Sequence, residues 1–191
     1  MDRLERFNIL LGVTGGIAAY KSAALCSLLV GEGASVTVAM TAHAQRFVGT
    51  LTFSTLSGRE VLTDLFEDPN VYDTQHIGVT RQADLMVVAP ATANVIAKMA
   101  AGICDDLLST LLCSADSDIL LAPAMNPRMW DRPATLRNIE TLRTDRCHLI
   151  GPESGPLACR DVGQGRMSEP EDILEKIIEL LADKKPKNLA T

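Results

Sequence analysis

The sequence predicts a single α/β domain in which helices cover both faces of a parallel sheet. Short apolar runs rich in β-branched residues alternate with segments of helical length, which is typical of buried parallel strands joined by helical crossovers. The predicted strands span residues 7–13, 35–40, 85–89, 119–122 and 148–150. Helices that connect parallel strands pack on the faces of the sheet, so both faces should be covered.

The first and last helices can be placed from their ends. Residues 17–32 have helical spacing and stop at Gly31 and Gly33, so they predict the first crossover helix. Ser168 and Glu171 have the spacing of a capping box and precede an apolar stripe that predicts the closing helix. We therefore expect one domain over residues 1–182 and a polar tail or linker remnant over 183–191.

Composition excludes several classes of function. The 191-residue chain has a net charge of -6 and a pI near 5.0, which argues against a nucleic-acid or anionic-membrane surface. No apolar run reaches the roughly 18 residues of a membrane span, and the start has no signal-peptide pattern, so a cytoplasmic protein is expected. The five cysteines lack a CxxC pair, which favours reduced thiols over disulfides or a metal site.

Two predicted strand ends carry small polar residues. The segment GVTGGIAAYK places Gly15 and Gly16 at a helix N-terminus, where backbone amides suit a phosphate, although a tight turn would need glycine anyway. In PATAN, Thr92 and Asn94 follow a strand at the edge where α/β sheets bind ligands. Thr92 could equally cap the next helix.

A third strand end leads into PAMNPRMW. Met125, Met129 and Trp130 offer apolar surface, which is more often core than ligand contact. Asn126 lies between two prolines, where an amide has little helical or strand role and could orient a carboxylate or amide ligand.

Two further residues are candidates for proton transfer. Cys159 lies in the glycine-rich segment GPLACRDVGQGRM, whose irregular pattern predicts a mobile loop or flap. Its neighbours Arg160 and Asp161 could tune its acidity, whereas a buried inert thiol is the alternative. His76 precedes a helix that leads into a core strand, and a surface or core role is its alternative.

Together, GVTGGIAAYK, HIGV, PATAN, PAMNPRMW and LACRDVGQGRM, in this order, resemble the homo-oligomeric flavin-containing cysteine decarboxylases. The resemblance extends from about Asn8 to Leu181 and is nearest to the members that act on 4'-phosphopantothenoylcysteine. It implies a Rossmann-like, flavodoxin-type doubly wound sheet, assembled as trimers or as dodecamers built from trimers, with FMN between subunits. The residues that match the family's FMN contacts are Gly15, Gly16, Ile17, Thr41, Phe47, Thr92, Ala93, Asn94, Val95 and Ala124.

The resemblance also implies a reaction and residue roles. The substrate's cysteine side chain is oxidised to a thioaldehyde-like state with FMN as electron acceptor, carbon dioxide leaves, and the enethiol is reduced again to give 4'-phosphopantetheine. Matching positions assign His76 to proton transfer in the oxidation and Cys159 to protonation of the enethiol. The implied substrate contacts are Asn126, which would hold the carboxylate, with Met125, Ala158 and Arg160.

Three positions depart from the family pattern, and three other functions are possible. The family more often has serine at Gly16, threonine at Val95 and glycine at Arg160, and the long charged Arg160 bears on substrate choice. A decarboxylase of a peptide's C-terminal cysteine would use the same chemistry. A non-catalytic phosphatase-binding relative would usually carry acidic extensions, and a flavin prenyltransferase would not need PAMNPRMW with His76 and Cys159.

Overall fold

Five parallel strands form one sheet in the order β2-β1-β3-β4-β5. The computed structural model describes residues 2–65, 75–156 and 162–187, and only the backbone of residues 75–77. The strands are β1 (Asn8–Val13), β2 (Ser35–Met40), β3 (Leu85–Ala91), β4 (Asp118–Pro123) and β5 (Cys147–Leu149). This is the order of flavodoxin-type sheets, so the predicted fold class is confirmed.

Helices connect these strands, and a separate hairpin follows the sheet. A short 3-10 turn at Ala44–Arg46 follows β2. The helices are α1 (Ala19–Gly31), α2 (Thr50–Ser57), α3 (Gln75–Gln82), α4 (Ala93–Ala101), α5 (Leu107–Cys113), α6 (Pro127–Trp130), α7 (Pro133–Thr144) and α8 (Pro170–Leu181). The antiparallel hairpin consists of β6 (Glu153–Pro156) and β7 (Val162–Arg166). It includes residues 155–156 and 162–166 of the segment 155–167 for which a mobile loop or flap was predicted, so these residues form strands and not an irregular loop. The role of the segment as a flap stays a prediction.

Buried layers lie on both faces of the sheet because side chains alternate along each strand. On one face, Leu11 of β1 belongs to a cluster with Leu25 of α1 and Ile173 of α8. On the other face, Leu10 of β1 belongs to a cluster with Leu108 of α5. The sheet therefore supplies a rigid base for the loops at its carboxyl edge.

Both predicted helix starts need correction. The first helix begins at Ala19, because the residues before it form the turn that leaves β1. The capping box predicted for α8 is wrong: Glu169 is the N-cap, without a side-chain capping bond, and Pro170 takes the first helical position, which suits its missing N–H. Ser168 is buried, and its hydroxyl contributes to lowering the pKa of the Glu153 carboxyl group.

Part of the predicted tail is bound to the amino-terminal edge of the sheet. Lys184 Nζ lies 2.5 Å from Asp118 Oδ2, and the backbone N–H of Lys187 donates to Asp84 Oδ1 at 2.6 Å. The other Asp84 oxygen accepts the N–H of Asn8 at 2.7 Å. The domain boundary at residue 182 stays a prediction.

Two observations concern the sequence predictions about membrane spans and cysteines. Across the residues that the structure describes, no helix has the length and apolar character needed to cross a membrane. The thiols of Cys26, Cys104, Cys113 and Cys147 are free, and Cys159 lies outside the described residues.

Candidate active site

A large cleft lies at the carboxyl edge of the sheet, where ligands bind in doubly wound folds. Its volume is about 1120 Å³. The segments after β1, β2, β3 and β4 line it, and the hairpin β6–β7 and the start of α8 complete its wall. The predicted site residues that line the cleft are Gly15, Gly16, Ile17, Thr41, Thr92, Ala93, Asn94, Val95, Ala124, Met125 and Asn126.

The glycine turn after β1 presents backbone donors to this cleft. Among the described residues, the amides of Gly15, Gly16, Ile17 and Ala18 donate no backbone hydrogen bond. They precede α1, whose N-terminus carries the positive end of the helix dipole. A Cβ at Gly15 would collide with His43, whereas one at Gly16 would lie 3.8 Å from Thr92 Cγ2, an ordinary contact. Of these two glycines, only Gly15 is required by close packing.

The turn after β3 is tied to the turn after β1. Thr92 is the N-cap of α4, and its side chain accepts the N–H of Val95 at 3.5 Å, so its capping role is real. The backbone N–H of Thr92 donates to the Thr14 hydroxyl at 3.3 Å, and that hydroxyl donates to the Pro90 carbonyl at 2.6 Å. Thr14 was not predicted, although it directly precedes Gly15.

The turn after β4 places Asn126 at the cleft. Its Oδ1 accepts the N–H of Arg128 at 2.9 Å, which makes Asn126 the N-cap of α6. The expectation that this amide has little helical role is therefore wrong, because Pro127 at the first helical position lets a helix start beside it. Met125 and Trp130 are buried core residues, while Met129 is about half exposed at the cleft.

A carboxylate and an ammonium group face each other near α4. Lys98 Nζ lies 2.6 Å from Asp106 Oδ2 and 2.5 Å from Asp105 Oδ1, and these hydrogen bonds raise the pKa of Lys98. Burial opposes ionisation of Asp106, but hydrogen bonds from Lys98 and Ser109 outweigh it and lower the pKa of the carboxyl group. Asp106 is therefore a carboxylate at neutral pH.

The remaining predicted residues are Phe47 and four whose side chains lie outside the described part of the chain. Phe47 does not line the cleft, and 51% of its surface is exposed. His76 lies in α3, and its side chain is outside the described part, as are Ala158, Cys159 and Arg160. Their roles stay predictions. Within the described ranges, no group of three or more histidine, cysteine or acidic side chains could hold a metal ion.

Sequence reasoning missed much of the cleft wall. Lys21 lies in the first turn of α1, directly after the predicted glycine turn, and this nearness in sequence could have indicated a place at the cleft. His43 follows Thr41 by two residues at the end of β2, which is a similar signal. The other lining residues that were not predicted include Ala18, Tyr20, Lys98, Asp106, Pro156, Gly165, Arg166, Met167 and Glu169.

Comparison with known proteins defines the class. The family described as Flavoprotein matches residues 1–182, so the chain belongs to this family. It is 52% identical over 172 residues to the coenzyme A biosynthesis bifunctional protein CoaBC of Bacillus subtilis. That match includes 90% of this chain and 42% of the relative, so the chain spans less than half of the relative's length.

Solved structures give the same fold. A PPC decarboxylase mutant in complex with pantothenoylaminoethenethiol superposes with a TM-score of 0.84 at 31% identity, over 94% of this chain and all of the other. The FMN-dependent cysteine decarboxylase SpaF superposes with a TM-score of 0.80 at 27% identity, over 93% of this chain and 98% of the other.

Proposed function

We propose that this protein uses FMN to decarboxylate 4'-phosphopantothenoylcysteine to 4'-phosphopantetheine in coenzyme A biosynthesis. The observation that carries the proposal is the convergence of four strand ends on one cleft, with open amides at one end and Asn126 at another. Likeness to CoaBC and to a PPC decarboxylase supports this substrate.

The described residues fit FMN. The amides of residues 15–18 have no backbone acceptor among the described residues and suit the phosphate, because a helix N-terminus with free N–H groups binds anions well. The absence of a side chain at Gly15 lets this turn pack against His43 where it lines the cleft. The cleft, at about 1120 Å³, exceeds the usual few hundred Å³ of a small-ligand pocket and can hold a flavin with a substrate.

Bound FMN would supply a two-electron acceptor for oxidation of the cysteine side chain, and these electrons return to the substrate after carbon dioxide has left. Asn126 can orient the substrate carboxylate from its place at the start of α6, because its backbone is fixed by the helix and its amide lies at the cleft. The cleft wall then holds the reacting carbon in one position, which lowers the entropic cost of reaction.

Proton transfer is assigned to two residues by family resemblance. We propose that His76 accepts or relays the proton lost during oxidation and that Cys159 protonates the enethiol. In the sequence, His76 belongs to α3, and Cys159 lies between β6 and β7. Arg160, Ala158 and Met125 are proposed as further substrate contacts.

We also propose a cytoplasmic homo-oligomer built from trimers. Ile17, Tyr20 and Met129 line the cleft and are 61%, 62% and 48% exposed, respectively. Large apolar side chains in such positions favour burial by another subunit. The apolar cleft rim supports the expectation that FMN is bound between subunits.

A peptide ending in cysteine is the second candidate substrate, because its decarboxylation would use the same flavin chemistry. Likeness to SpaF, an FMN-dependent cysteine decarboxylase, supports this chemistry for either substrate. The deciding experiment starts with the visible spectrum of the purified protein. The protein is then given 4'-phosphopantothenoylcysteine, a peptide ending in cysteine, or 4'-phosphopantothenate as the control without cysteine, and products are identified by mass spectrometry.

Loss of carbon dioxide from 4'-phosphopantothenoylcysteine alone would support the proposal. Turnover of the peptide alone would replace the substrate and retain the chemistry. A protein that binds no FMN and changes neither compound would favour the non-catalytic, phosphatase-binding function instead.

A further inference from the structure

Four charged side chains form a continuous chain along the cleft wall beside α1. Lys21 Nζ lies 2.8 Å from Glu169 Oε1. The same oxygen lies 3.8 Å from one Arg166 guanidinium nitrogen, and that nitrogen lies 2.7 Å from Glu153 Oε2. This ion chain connects α1, the N-cap of α8 and both strands of the hairpin β6–β7.

The ion chain is partly shielded from water. The Lys21 side chain is 12% exposed, and its ammonium group also donates to the Met167 carbonyl at 3.3 Å. The hydrogen bond from Arg166 lowers the pKa of Glu153, with a further contribution from the Ser168 hydroxyl. Shared, partly buried contacts of this kind hold a geometry better than one isolated surface pair.

The charges in the ion chain compensate each other. Two cations and two carboxylates give no net charge, and each cation lies against a carboxylate of the chain. A neutral cluster attracts an anionic substrate only weakly, even though Lys21, Arg166 and Glu169 line the cleft. This arrangement suits fixing the position of structural elements better than binding the substrate directly.

The hairpin depends on such contacts because its strands form a sheet of their own. On one side it rests on the turn after β4: the N–H of Met125 donates to the Gly165 carbonyl at 3.0 Å. A Cβ at Gly163 would lie only 2.9 Å from Pro127 Cγ, so the two segments are in close contact. The ion chain fixes the side of the hairpin that faces α1.

We propose that the ion chain sets the position of the β6–β7 hairpin against α1, and that Lys21, Glu169 and Arg166 are positioning residues for the decarboxylation. The consequence for catalysis rests on the proposed function. Pro156 and Gly165 of the hairpin line the cleft, so a displaced hairpin changes the wall that contacts the substrate. The amides of the glycine turn precede α1 and are not part of the ion chain.

The test compares two isosteric substitutions near one helix. Glu169→Gln removes the carboxylate that Lys21 and Arg166 share, while Glu179→Gln in α8 breaks the exposed contact with Lys176 at 2.8 Å, away from the cleft. FMN-loaded proteins are compared for KM and kcat, FMN content, urea midpoint, and amide hydrogen exchange of residues 153–155 and 162–166.

We expect Glu169→Gln to raise KM and to speed hairpin exchange by about tenfold each, which corresponds to about 1.4 kcal/mol, with FMN content and urea midpoint as in Glu179→Gln. Arg166→Lys should retain more of the wild-type KM than Arg166→Met, because it keeps the charge. Unchanged exchange in Glu169→Gln, or equal exchange in the two glutamine variants, would overturn the proposal.

Failure of the proposed function would look different. If the wild-type protein leaves 4'-phosphopantothenoylcysteine unchanged, that function is wrong, while hydrogen exchange still decides whether the ion chain holds the hairpin. If exchange responds but KM does not, the role in decarboxylation is rejected.

Discussion

The backbone N–H of Thr92 donates to the side-chain hydroxyl of Thr14 at 3.3 Å, across two turns that are 78 residues apart in the chain. The same hydroxyl donates to the Pro90 carbonyl at 2.6 Å, and Thr14 is only 2% exposed. One buried hydroxyl thus joins the turn that carries the open amides to the turn that starts α4. The relative position of the two turns depends on it.

Thr14→Val should lower the free energy of unfolding by about 1–3 kcal/mol, because the partly buried Thr92 N–H and the buried Pro90 carbonyl lose their partner without a change in side-chain shape. Urea denaturation followed by circular dichroism measures this change. Thr141→Val provides the control, since the Thr141 hydroxyl donates to the Arg137 carbonyl on the exposed face of α7 and its loss should change stability by less than about 0.5 kcal/mol. Equal effects of the two substitutions would contradict the role given to Thr14.

Gly15→Ala and Gly16→Ala should have different effects on FMN binding. The added methyl group at position 15 collides with His43, whereas at position 16 it meets only Thr92 at 3.8 Å. We expect Gly15→Ala to weaken FMN binding by about tenfold or more, a loss of about 1.4 kcal/mol, and Gly16→Ala to bind nearly as the wild type. Quenching of flavin fluorescence during titration of apoprotein measures both constants. Tighter binding by Gly15→Ala than by Gly16→Ala would refute this assignment.

Asn126→Asp separates the capping role of Asn126 from its proposed role toward the substrate. Aspartate is as good an N-cap as asparagine, so α6 should keep the hydrogen bond to the Arg128 N–H and the urea midpoint should hold. A carboxylate facing the substrate carboxylate should lower kcat/KM more than about tenfold, or about 1.4 kcal/mol. Asn126→Ala, which loses both roles, should be less active and less stable than the wild type. Wild-type turnover by Asn126→Asp would mean that another residue holds the carboxylate.

Cys159→Ser should stop the reaction after carbon dioxide is released, because a hydroxyl is a far weaker acid than a thiol at this step. Mass spectrometry should then show an enethiol product that carries two hydrogens fewer than 4'-phosphopantetheine. The control is Cys104→Ser, which changes an exposed free thiol and should leave the product unaltered. Full conversion to 4'-phosphopantetheine by Cys159→Ser would remove this residue from the mechanism.

The Arg3–Glu32 pair predicts a pH dependence of stability. The hydrogen bond from Arg3, at 2.7 Å, lowers the pKa of Glu32 from 4.5 to about 2. Because the folded-state pKa is below the unfolded one, this contribution is complete above about pH 4.5 and is lost as the pH falls toward about 2. The urea midpoint should therefore fall more steeply in that range for the wild type than for Glu32→Gln.

Glu140→Gln serves as the control for this pH dependence. Glu140 lies on the exposed face of α7, and its carboxylate oxygen is 3.6 Å from a guanidinium nitrogen of Arg143. The urea midpoint of Glu140→Gln should depend on pH in the same way as that of the wild type. Parallel curves for Glu32→Gln and the wild type would show that the Arg3 contact does not control this part of the profile.

The sheet could be predicted because its strands are buried on both faces. Every residue of β3 is buried, and such continuous apolar runs are visible in the sequence. The hairpin could not be predicted, because the sequences of β6 and β7 are ESGP and VGQGR. These contain glycine and proline and show no alternation of apolar residues. Contacts with the turn after β4 and with α1 determine its conformation, and these are tertiary.

Site residues could be predicted where they directly follow a strand. They were missed where residues far apart in the sequence form the site together. Gly15, Thr92 and Asn126 each follow a strand directly, so their place at the cleft follows from the strand order. Lys21 and Glu169 are 148 residues apart, and neither flanking sequence indicates that they meet. The capping role of Asn126 is hard to predict because a proline usually interrupts a helix, whereas Pro127 occupies the first helical position, where proline is tolerated.

The Asp84 carboxylate joins the beginning, middle and end of the chain, since it accepts the N–H groups of Asn8 and Lys187. Asp84 is 5% exposed, so these donors replace water that it has lost. During synthesis the ribosome releases residue 187 long after the central strands have emerged, and this carboxylate lacks one donor until then. The amino-terminal edge of the sheet is therefore completed late, and contacts so distant in sequence should slow the final folding step.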